Sequence, residues 1–327
     1  MGVSVTKQVA VLLSTFNPGS YVEAQLDSLF QQTFTDFTIY IRDDGSDSPH
    51  KYLQRKAAQP RIQVVEDSQG NIGPGNSFLT LLEAVEADIY FFCDQDDVWF
   101  PDKVSRAVSE FESQPSNELV PRLYHTGAEL VDRDLNSLGI RYHPSERLVP
   151  GSYVRSDRIF LESPVLGCSA AFNRCLRNLV VRDLPINREN IILHDWWVAL
   201  YASFLGETTF DPAPSLYYRQ HANNVSGSSA AKAKRVVDAF AAHKYKRVAD
   251  MLARTSAQAE LFCKLIGERA AESEYKRTED CGRIVKNPSF WGHLLLWLRG
   301  QSYANFRLRI AVLLYLFASG ARFTRRG

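Results

Sequence analysis

Short apolar runs alternate with amphipathic stretches along the first part of the chain. Val9–Leu13 is a β-branched and aliphatic run that stops at Asn17-Pro18-Gly19, and this pattern predicts a buried strand followed by a turn. From Tyr21 to Gln32, apolar residues are spaced along one helix face. The same alternation predicts further strands at Phe37–Ile41, Ile62–Val65 and Ile89–Cys93, and further helices at Lys51–Ala58 and Ser77–Ala87.

This order of elements predicts an α/β fold. Strands that alternate with helices pair in parallel, carry helices on both faces and bind ligands at the carboxyl ends of the strands. Past about Asn117 the pattern becomes a mixture of strands and turns, and a break in composition at residues 226–231 (SGSSAA) indicates a linker. We therefore predict a catalytic domain over residues 1–227 and a helical, basic extension over residues 228–327.

Composition and charge narrow the class of protein. A hydrophobic content of 45% and a charged content of 23% are globular values, and they exclude disorder, collagen and coiled coil for the chain as a whole. Five dispersed cysteines without a CxxC motif argue against a disulfide framework or structural zinc, and predict a reducing compartment. The net charge of +1 combines an acidic body with a tail, residues 230–327, that holds 19 of the 38 basic residues but 8 of the 37 acidic ones. No nucleic-acid partner is predicted.

Three aspartates follow the predicted strand Ile89–Cys93. Asp94, Asp96 and Asp97 repel one another at this spacing, and a hard divalent cation, Mg²⁺ or Mn²⁺, with phosphate oxygens as further ligands would stabilise them. The alternative is that they cap a helix over Val98–Val108. One cap needs one side chain, so three aspartates favour a metal site.

The loops after the first two strands offer polar groups at the same edge. Asp43 and Asp44 have a simple interpretation as turn residues, but a carboxylate at this place can also accept a hydrogen bond from a base or ribose. The stretch Ser14-Thr15-Phe16-Asn17 can supply backbone and hydroxyl contacts to the same nucleotide. The chain has neither a GxGxxG nor a GxxxxGK[ST] phosphate loop.

Two later motifs carry candidate chemistry. In His194-Asp195-Trp196-Trp197, the carboxylate of Asp195 can act as a general base while a tryptophan stacks on a sugar. The alternative is a helix start before a buried helix through Val198–Leu205, with both tryptophans in the core. In Tyr217–His221, Arg219 can clamp a diphosphate and His221 can bind a metal, although a histidine at a strand end is more often structural.

Taken together, these segments resemble the inverting family-2 glycosyltransferases of the GT-A fold, and most closely the bacterial rhamnosyltransferases of surface-polysaccharide assembly. Three stretches carry the resemblance, Val11–Asp47, Asn71–Val104 and Gly167–Gly227, and it covers most of residues 5–227. The resemblance implies a mixed, mainly parallel sheet with a C-terminal α-helical extension.

The resemblance also implies roles for individual residues. Asp195 matches the catalytic base, and Asp96 and Asp97 match a DxD-type pair that Asp94 opens. The residue before the base is commonly Glu in the family but is His194 here. The implied nucleotide-sugar contacts are Ser14, Thr15, Phe16, Asn17, Asp43, Asp44, Asn76, Asp94, Asp96 and Arg219; the metal ligands are Asp96, Asp97 and His221; the acceptor contacts are Trp99, Trp196 and Trp197.

The implied reaction is transfer of a deoxyhexose, best matched by L-rhamnose from dTDP-L-rhamnose, to a glycan or lipid-linked glycan. One alternative is the same fold with another nucleoside diphosphate hexose. A second is a nucleotidyltransferase, which normally needs a basic phosphate loop that the stretch STFNPGS lacks. A third is a glycan-binding or scaffold protein without catalysis, and the intact aspartates argue against it.

The tail predicts peripheral contact with anionic lipid. Phe290–Leu298 is one apolar segment, and Ile310–Ala318 is a second that is too short to span a bilayer. Arginines beside such segments suit a membrane interface. The alternative is packing against the catalytic domain or in a dimer. Without a signal peptide or spanning segment, we expect a cytoplasmic protein on the inner face of the membrane, with these flanking arginines: Arg299, Arg307, Arg309, Arg322, Arg325 and Arg326.

Overall fold

A computed structural model describes residues 7–47, 59–113, 119–142, 157–184, 188–220, 243–266, 289–298, 310–313 and 315–316. The predicted helix Lys51–Ala58, the predicted metal ligand His221 and the predicted linker lie outside these residues. The predicted domain boundary at residue 227 therefore stays a prediction.

The strands of the described residues form one mixed sheet. Its order is β3-β2-β1-β4-β8-β6-β9-β5, and β7 also pairs with β6, along Ala128–Val131. The strands are β1 (Val9–Thr15), β2 (Thr38–Asp43), β3 (Ile62–Val64), β4 (Ile89–Cys93), β5 (Val98–Trp99), β6 (Arg122–Val131), β7 (Ser137–Tyr142), β8 (Ala170–Asn173) and β9 (Glu207–Arg219).

The described helices occur both within the sheet-forming part of the chain and after it. They are α1 (Tyr21–Phe30), α2 (Pro74–Ala84), α3 (Lys103–Glu112), α4 (Arg174–Arg182), α5 (His194–Leu205), α6 (His243–Ile266) and α7 (Phe290–Leu298), and residues 310–313 and 315–316 are also helical.

The first half of the sheet is parallel, as the alternating pattern predicts. β1 pairs in parallel with β2 and β4, so that Val11 lies opposite Ile39 on one side and Phe91 on the other. All residues of β1 and β4 are buried. A continuous apolar run is what a central parallel strand requires, because both of its faces are covered.

The second half of the sheet contains antiparallel pairs that bring distant segments to the same edge. β8 lies antiparallel between β4 and β6, while β9 runs parallel to β6. The short β5 pairs antiparallel with β9, with Trp99 opposite Leu216. The end of β9 is thereby placed beside the loop that follows β4.

The alternative interpretation of Asp94, Asp96 and Asp97 was that they cap a helix over Val98–Val108, but helix α3 begins later than that. Residues 98–99 form β5 instead of the first turn of a helix, and α3 begins at Lys103, after Pro101 and Asp102. Proline disfavours helical backbone in the residue before it, so Phe100-Pro101 separates the strand from the helix. The three aspartates therefore precede a strand and do not cap a helix.

The chain folds into two compact units. The first comprises residues 1–146, 165–188 and 193–221 and contains the sheet with α1 to α5; the second comprises residues 147–164, 189–192 and 222–327. Within the second unit, the Phe160 and Phe262 rings pack edge to face at 5.9 Å, and Gln258 Oε1 accepts a 2.8 Å hydrogen bond from Ile192 N. None of the described helices is both long and apolar enough to cross a membrane.

Candidate active site

The loops after β1, β2 and β4 meet at one edge of the sheet. The side-chain amide of Gln95 pairs with the backbone of Phe16, accepting from its N–H at 2.8 Å and donating to its carbonyl at 3.1 Å. Asn17 N donates to Ser46 Oγ at 2.9 Å, and Asn17 Nδ2 donates to Asp47 Oδ2 at 3.1 Å. The Phe16 ring, 43% exposed, is left facing solvent at this edge.

The two aspartates after β2 have different surroundings. Asp43 is half-buried, and its Oδ1 accepts hydrogen bonds from the N–H and hydroxyl of Ser46. Asp44 is 2% exposed and accepts from the backbone N–H groups of Ile72 and Gly73 at 3.0 and 2.9 Å. Gly73 has a φ of 81°, which suits glycine and turns the chain into α2. Asp44 therefore holds the loop before α2 in place, and its predicted contact with a nucleotide stays a prediction.

A buried arginine that the sequence analysis missed organises this region. Arg42, 1% exposed, donates to Asp44 Oδ1 and Asp67 Oδ2 at 2.5 Å each, and to Ser77 Oγ at 2.9 Å. Ser14, predicted to contact nucleotide, instead donates its hydroxyl to Ser77 Oγ at 2.6 Å. The available signal was a basic residue near the end of β2, directly after the apolar residues Ile39–Ile41. Charge-assisted hydrogen bonds of this kind rigidify the floor of the site.

Two other predicted nucleotide contacts are engaged in local hydrogen bonds. Thr15 is buried, and its carbonyl accepts from Asp44 N at 2.7 Å. Asn76 lies in the first turn of α2, and its Nδ2 donates to the carbonyl of Ile72 at 3.1 Å. Their positions remain at the predicted edge of the sheet, and a nucleotide contact by either stays a prediction.

The three aspartates after β4 cluster with a cysteine from another part of the chain. Asp97 is fully buried, while Asp94 is half-buried. Ligand atoms of Asp94, Asp97 and Cys168 all lie within 4.8 Å of one another. Burial, and then the neighbouring charge of Asp96, raise the pKa of Asp94 to about 8, and the same causes raise the pKa of Asp97. A divalent cation would relieve this unfavourable accumulation of charge.

Two buried basic side chains adjoin the cluster. Lys103 Nζ donates to Ser215 Oγ at 3.0 Å and lies 4.7 Å from the centre of the Trp99 ring. Arg219, 3% exposed, donates through its backbone N–H to Asp97 Oδ1 at 3.2 Å and through Nε to the Asp96 carbonyl at 2.7 Å. Arg219 thus holds the loop that contains Asp96 and Asp97 in place through these two hydrogen bonds. Its predicted contact with a diphosphate stays a prediction.

The arrangement fits a divalent cation. Asp97 Oδ2 is buried and has no partner of good hydrogen-bond geometry among the described residues, although the Cys168 thiol lies close enough to lower the pKa of Asp97 somewhat. Within the described part of the site, carboxylates outnumber basic groups. The carboxylates are Asp94, Asp96, Asp97 and Asp195, and the basic groups are Lys103 and Arg219.

Asp195 occupies the first turn of α5, beside this cluster. Its Oδ2 accepts from Gly167 N at 2.8 Å, and its Oδ1 accepts from Trp196 N at 2.7 Å. A Cβ on Gly167 would lie 3.3 Å from Asp195 Oδ2 and 2.9 Å from His194 Nε2, so glycine permits this close approach. Burial raises the pKa of Asp195 to about 6 against the effect of these hydrogen bonds, and its charge in turn raises the pKa of Asp94. The carboxylate is oriented by two backbone groups and is suited to accept a proton near neutral pH.

His194 has a packing role. Its ring stacks on Phe78 at 4.1 Å and meets Phe92 edge-on at 4.5 Å. Burial lowers its pKa to about 3, and both ring nitrogens lack hydrogen-bond partners among the described residues. The neutral ring packs against Phe78 and Phe92 at the start of α5. Because this residue is a histidine, no carboxylate assists Asp195 from the preceding position.

The three tryptophans predicted to bind the acceptor are all largely buried. Trp99 is 2% exposed and packs on Phe91 at 5.7 Å, and Trp197 is fully buried against Tyr201. Trp196 is 8% exposed. Trp99 and Trp197 lie in the core, so the prediction that they bind the acceptor is wrong. A ring enclosed in the core cannot stack on a sugar.

Comparison with known proteins identifies the family. The family model for glycosyl transferase family 2 matches residues 10–178, which run from β1 to α4. The chain belongs to glycosyl transferase family 2. This membership confirms the predicted enzyme class, and the enzyme's matched region contains the three loops that meet at the sheet edge.

Individual relatives agree with this assignment. The dTDP-rhamnosyl transferase RfbG of Shigella flexneri is 28% identical to this glycosyltransferase over 232 residues, 66% of this chain and 74% of that protein. S. aureus TarS 1-349 in complex with UDP-GlcNAc has a TM-score of 0.52 at 14% identity, covering 96% of this chain and 92% of that chain. The mannosyltransferase PcManGT from Pyrobaculum calidifontis, in complex with GDP-Man and Mn²⁺, has a TM-score of 0.50 at 15% identity, covering 98% and 87%. These likenesses confirm the predicted GT-A fold.

Proposed function

We propose that this glycosyltransferase transfers L-rhamnose from dTDP-L-rhamnose to a glycan or lipid-linked glycan hydroxyl, with inversion. Two findings support the donor: the sequence similarity to the Shigella flexneri dTDP-rhamnosyl transferase, and the similarity in fold to enzymes solved with nucleoside diphosphate sugars. The observation that carries the mechanism is Asp195, a carboxylate fixed by two backbone N–H groups beside a cluster of aspartates.

The reaction is a single in-line displacement. The acceptor oxygen forms a bond to the anomeric carbon of the sugar while the bond from that carbon to the diphosphate oxygen breaks. The acceptor's proton passes to the carboxylate of Asp195, and the electron pair leaves with the diphosphate. Gly167 N and Trp196 N keep the carboxylate oriented during this transfer. No covalent glycosyl-enzyme intermediate is required, so one carboxylate is sufficient.

The aspartates after β4 would hold the divalent cation, Mg²⁺ or Mn²⁺, that the site fits. Asp96 and Asp97 are the proposed ligands at this position, with Asp94 beside them. When bound, such a cation supplies positive charge that offsets the negative charge developing on the departing diphosphate. His221 remains a proposed contact to the cation.

A donor screen tests the proposed substrate. We expect dTDP-L-rhamnose with Mn²⁺ or Mg²⁺ to raise the melting temperature more than other dTDP-, UDP- or GDP-sugars do. At a donor concentration about 100 times Kd, the stabilisation is about 2.7 kcal/mol. This stabilisation corresponds to a shift of roughly 5 to 10 °C.

The same screen separates the alternatives. A larger shift with another nucleoside diphosphate hexose would reject rhamnose but keep the reaction class. Turnover products are then identified by chromatography: release of nucleoside diphosphate supports glycosyl transfer, whereas release of pyrophosphate would indicate a nucleotidyltransferase. Absence of either product with every donor and a mixture of glycan acceptors would contradict the proposed function.

We further propose that the C-terminal region contacts an anionic membrane surface, where a lipid-linked acceptor would reside. On α7, Trp291 is 74% exposed and Leu298 is 77% exposed, although apolar side chains of this size are usually buried. Arg299 follows the helix directly, and Arg307 and Arg309 come next along the chain. Exposed apolar groups beside basic residues are typical of interfacial helices.

Vesicle sedimentation tests this contact. We expect the full-length protein to sediment with phosphatidylglycerol vesicles at low salt, but weakly with phosphatidylcholine vesicles, because arginines attract anionic lipid. The double substitution Trp291→Ser and Leu298→Ser should reduce binding at least several-fold. Leu119→Ser is the matched control, since Leu119 is 91% exposed but lies in the first unit. Equal sedimentation of the double variant and the control, or none by the wild type, would reject the membrane contact.

A further inference from the structure

The proposed mechanism leaves Cys168 without a role, although its sulfur lies against the aspartate cluster. Cys168 is 1% exposed and belongs to a 3-10 turn, Gly167–Ser169, just before β8. Its sulfur and one carboxylate oxygen from each of Asp94 and Asp97 are all within 4.8 Å of one another. Two ligands on opposite sides of one metal ion lie roughly 4.5 Å apart, given metal–ligand bonds of about 2.0 to 2.3 Å. The three atoms are therefore close enough to approach one ion with small movements of their side chains.

An independent observation indicates that this cluster receives a ligand. Asp97 is fully buried, and its Oδ1 accepts a hydrogen bond from Arg219 N. Its Oδ2 has no partner of good hydrogen-bond geometry among the described residues. A buried carboxylate oxygen without a partner is costly, and a cation within the cluster would supply the missing interaction.

The neighbouring charges make a sulfur ligand chemically reasonable. A thiol binds metal as the thiolate, so binding releases the proton of Cys168 to solvent. Lys103, another buried basic residue, lies beside the cluster and packs on the Trp99 ring. A divalent cation at the cluster would supply positive charge beside the thiolate.

We propose that Cys168 ligates the cation together with Asp94 and Asp97, and that the site therefore prefers thiophilic divalent ions such as Co²⁺, Zn²⁺ and Cd²⁺ over Mg²⁺. An oxygen-only site suits Mg²⁺, whereas a thiolate favours softer ions. The inference rests on the proposed function, because this cation is the one that would support donor binding. It adds Cys168 to the proposed ligand Asp97, and it makes Asp94, predicted to contact the nucleotide sugar, a metal ligand in place of Asp96. Cys168 lies in the turn whose Gly167 N–H also orients Asp195.

Cobalt and cadmium spectroscopy tests the ligand directly. Co²⁺ is titrated into full-length, metal-free protein under reducing conditions, and the near-ultraviolet sulfur-to-cobalt charge-transfer absorption is recorded. We expect this absorption in the wild type and its loss in Cys168→Ser, with Cd²⁺ affinity falling by about 10-fold or more. Mg²⁺ affinity should fall less, because serine retains an oxygen.

The matched control is Cys93→Ala. Cys93 is also a buried cysteine, but its sulfur donates to the backbone carbonyl of Asp94 and lies outside the ligand set. This variant should keep the charge-transfer absorption. Absence of the absorption in folded wild-type protein, or its persistence in Cys168→Ser, would overturn the proposal. Since the wild-type spectrum alone is decisive, the test survives a Cys168 variant that fails to fold.

Sugar transfer is measured separately with Mg²⁺ and dTDP-L-rhamnose. Transfer without a charge-transfer absorption would reject the sulfur ligand but keep the proposed function. The absorption without transfer from any donor would keep the sulfur ligand as a metal contact while rejecting the proposed reaction.

Discussion

Asp195→Asn is expected to reduce sugar transfer by roughly 10²-fold or more while leaving donor affinity nearly unchanged. Asparagine cannot take the proton of the acceptor hydroxyl at neutral pH. Its side-chain oxygen can still accept the hydrogen bond from Gly167 N that the wild-type carboxylate accepts at 2.8 Å. Initial rates with saturating donor and acceptor measure the loss, and isothermal titration with the donor measures the affinity.

The pH dependence of the transfer rate is a second test of the role of Asp195. Burial raises the pKa of Asp195 to about 6, and the protonated acid cannot act as a base. Wild-type transfer should therefore fall as the pH is lowered through about 6 and level off above it. The residual activity of Asp195→Asn should lack this step.

A matched variant separates catalysis from folding. Asp102→Asn changes an exposed aspartate that precedes α3 and should transfer sugar at the wild-type rate. If Asp195→Asn loses donor binding and turnover in parallel, Asp195 positions the donor and the base is another group.

Asp97→Asn is expected to abolish cation-dependent donor binding and, at the same time, to stabilise the metal-free protein. Burial and the charges of Asp96 and Asp94 raise the pKa of Asp97 well above its ordinary value of 3.8. At a pH above that ordinary value, the unfolded chain ionises this group freely, whereas the folded protein must either bury the charge or retain a proton. The group therefore opposes folding at neutral pH, and a neutral amide removes the penalty.

Thermal unfolding with and without ligands measures both effects. In excess EDTA at pH 8, the melting temperature of Asp97→Asn should exceed that of the wild type by about 2 °C or more, the effect of roughly 1 kcal/mol. The difference should narrow as the pH falls below the raised pKa towards 3.8, because the carboxyl is then increasingly protonated in the unfolded chain as well. Addition of a divalent cation and donor should stabilise the wild type but not the variant.

Two results would contradict this interpretation of Asp97. One is full donor binding by Asp97→Asn in the presence of the cation, and the other is wild-type transfer that persists in excess EDTA. Asp134→Asn is the control, since Asp134 is exposed and lies in the turn after β6, outside the cluster.

The parallel half of the fold could be predicted from the sequence because its signals are local. A central parallel strand must be apolar at every position, and β1 and β4 are such runs. The loops that follow them then meet at one edge by the geometry of parallel strands. This reasoning located the aspartates after β4, and the family resemblance supports the proposed role of Asp195 as general base.

Other features depended on contacts between residues far apart in the chain. The pattern could not show that residues 98–99 form a strand, because β5 exists through its pairing with β9, more than a hundred residues later. That pairing, together with packing in the core, encloses Trp99. A tryptophan's sequence neighbours do not reveal whether its ring faces a sugar or the interior.

By itself, the sequence determined the order of strands and helices as far as β4, the edge where β1, β2 and β4 end and the class of enzyme. Tertiary structure alone decided which side chains share that edge: Cys168 joins Asp94 and Asp97, and Lys103 lies beneath them. It also made Arg42 the centre of a buried network. The physical reason is that the spacing of apolar residues within a short segment is enough to indicate a strand or a helix. Which charged side chains interact depends on their distance in space. That distance is set by the pairing of strands that are far apart in the chain, such as β4 with β8.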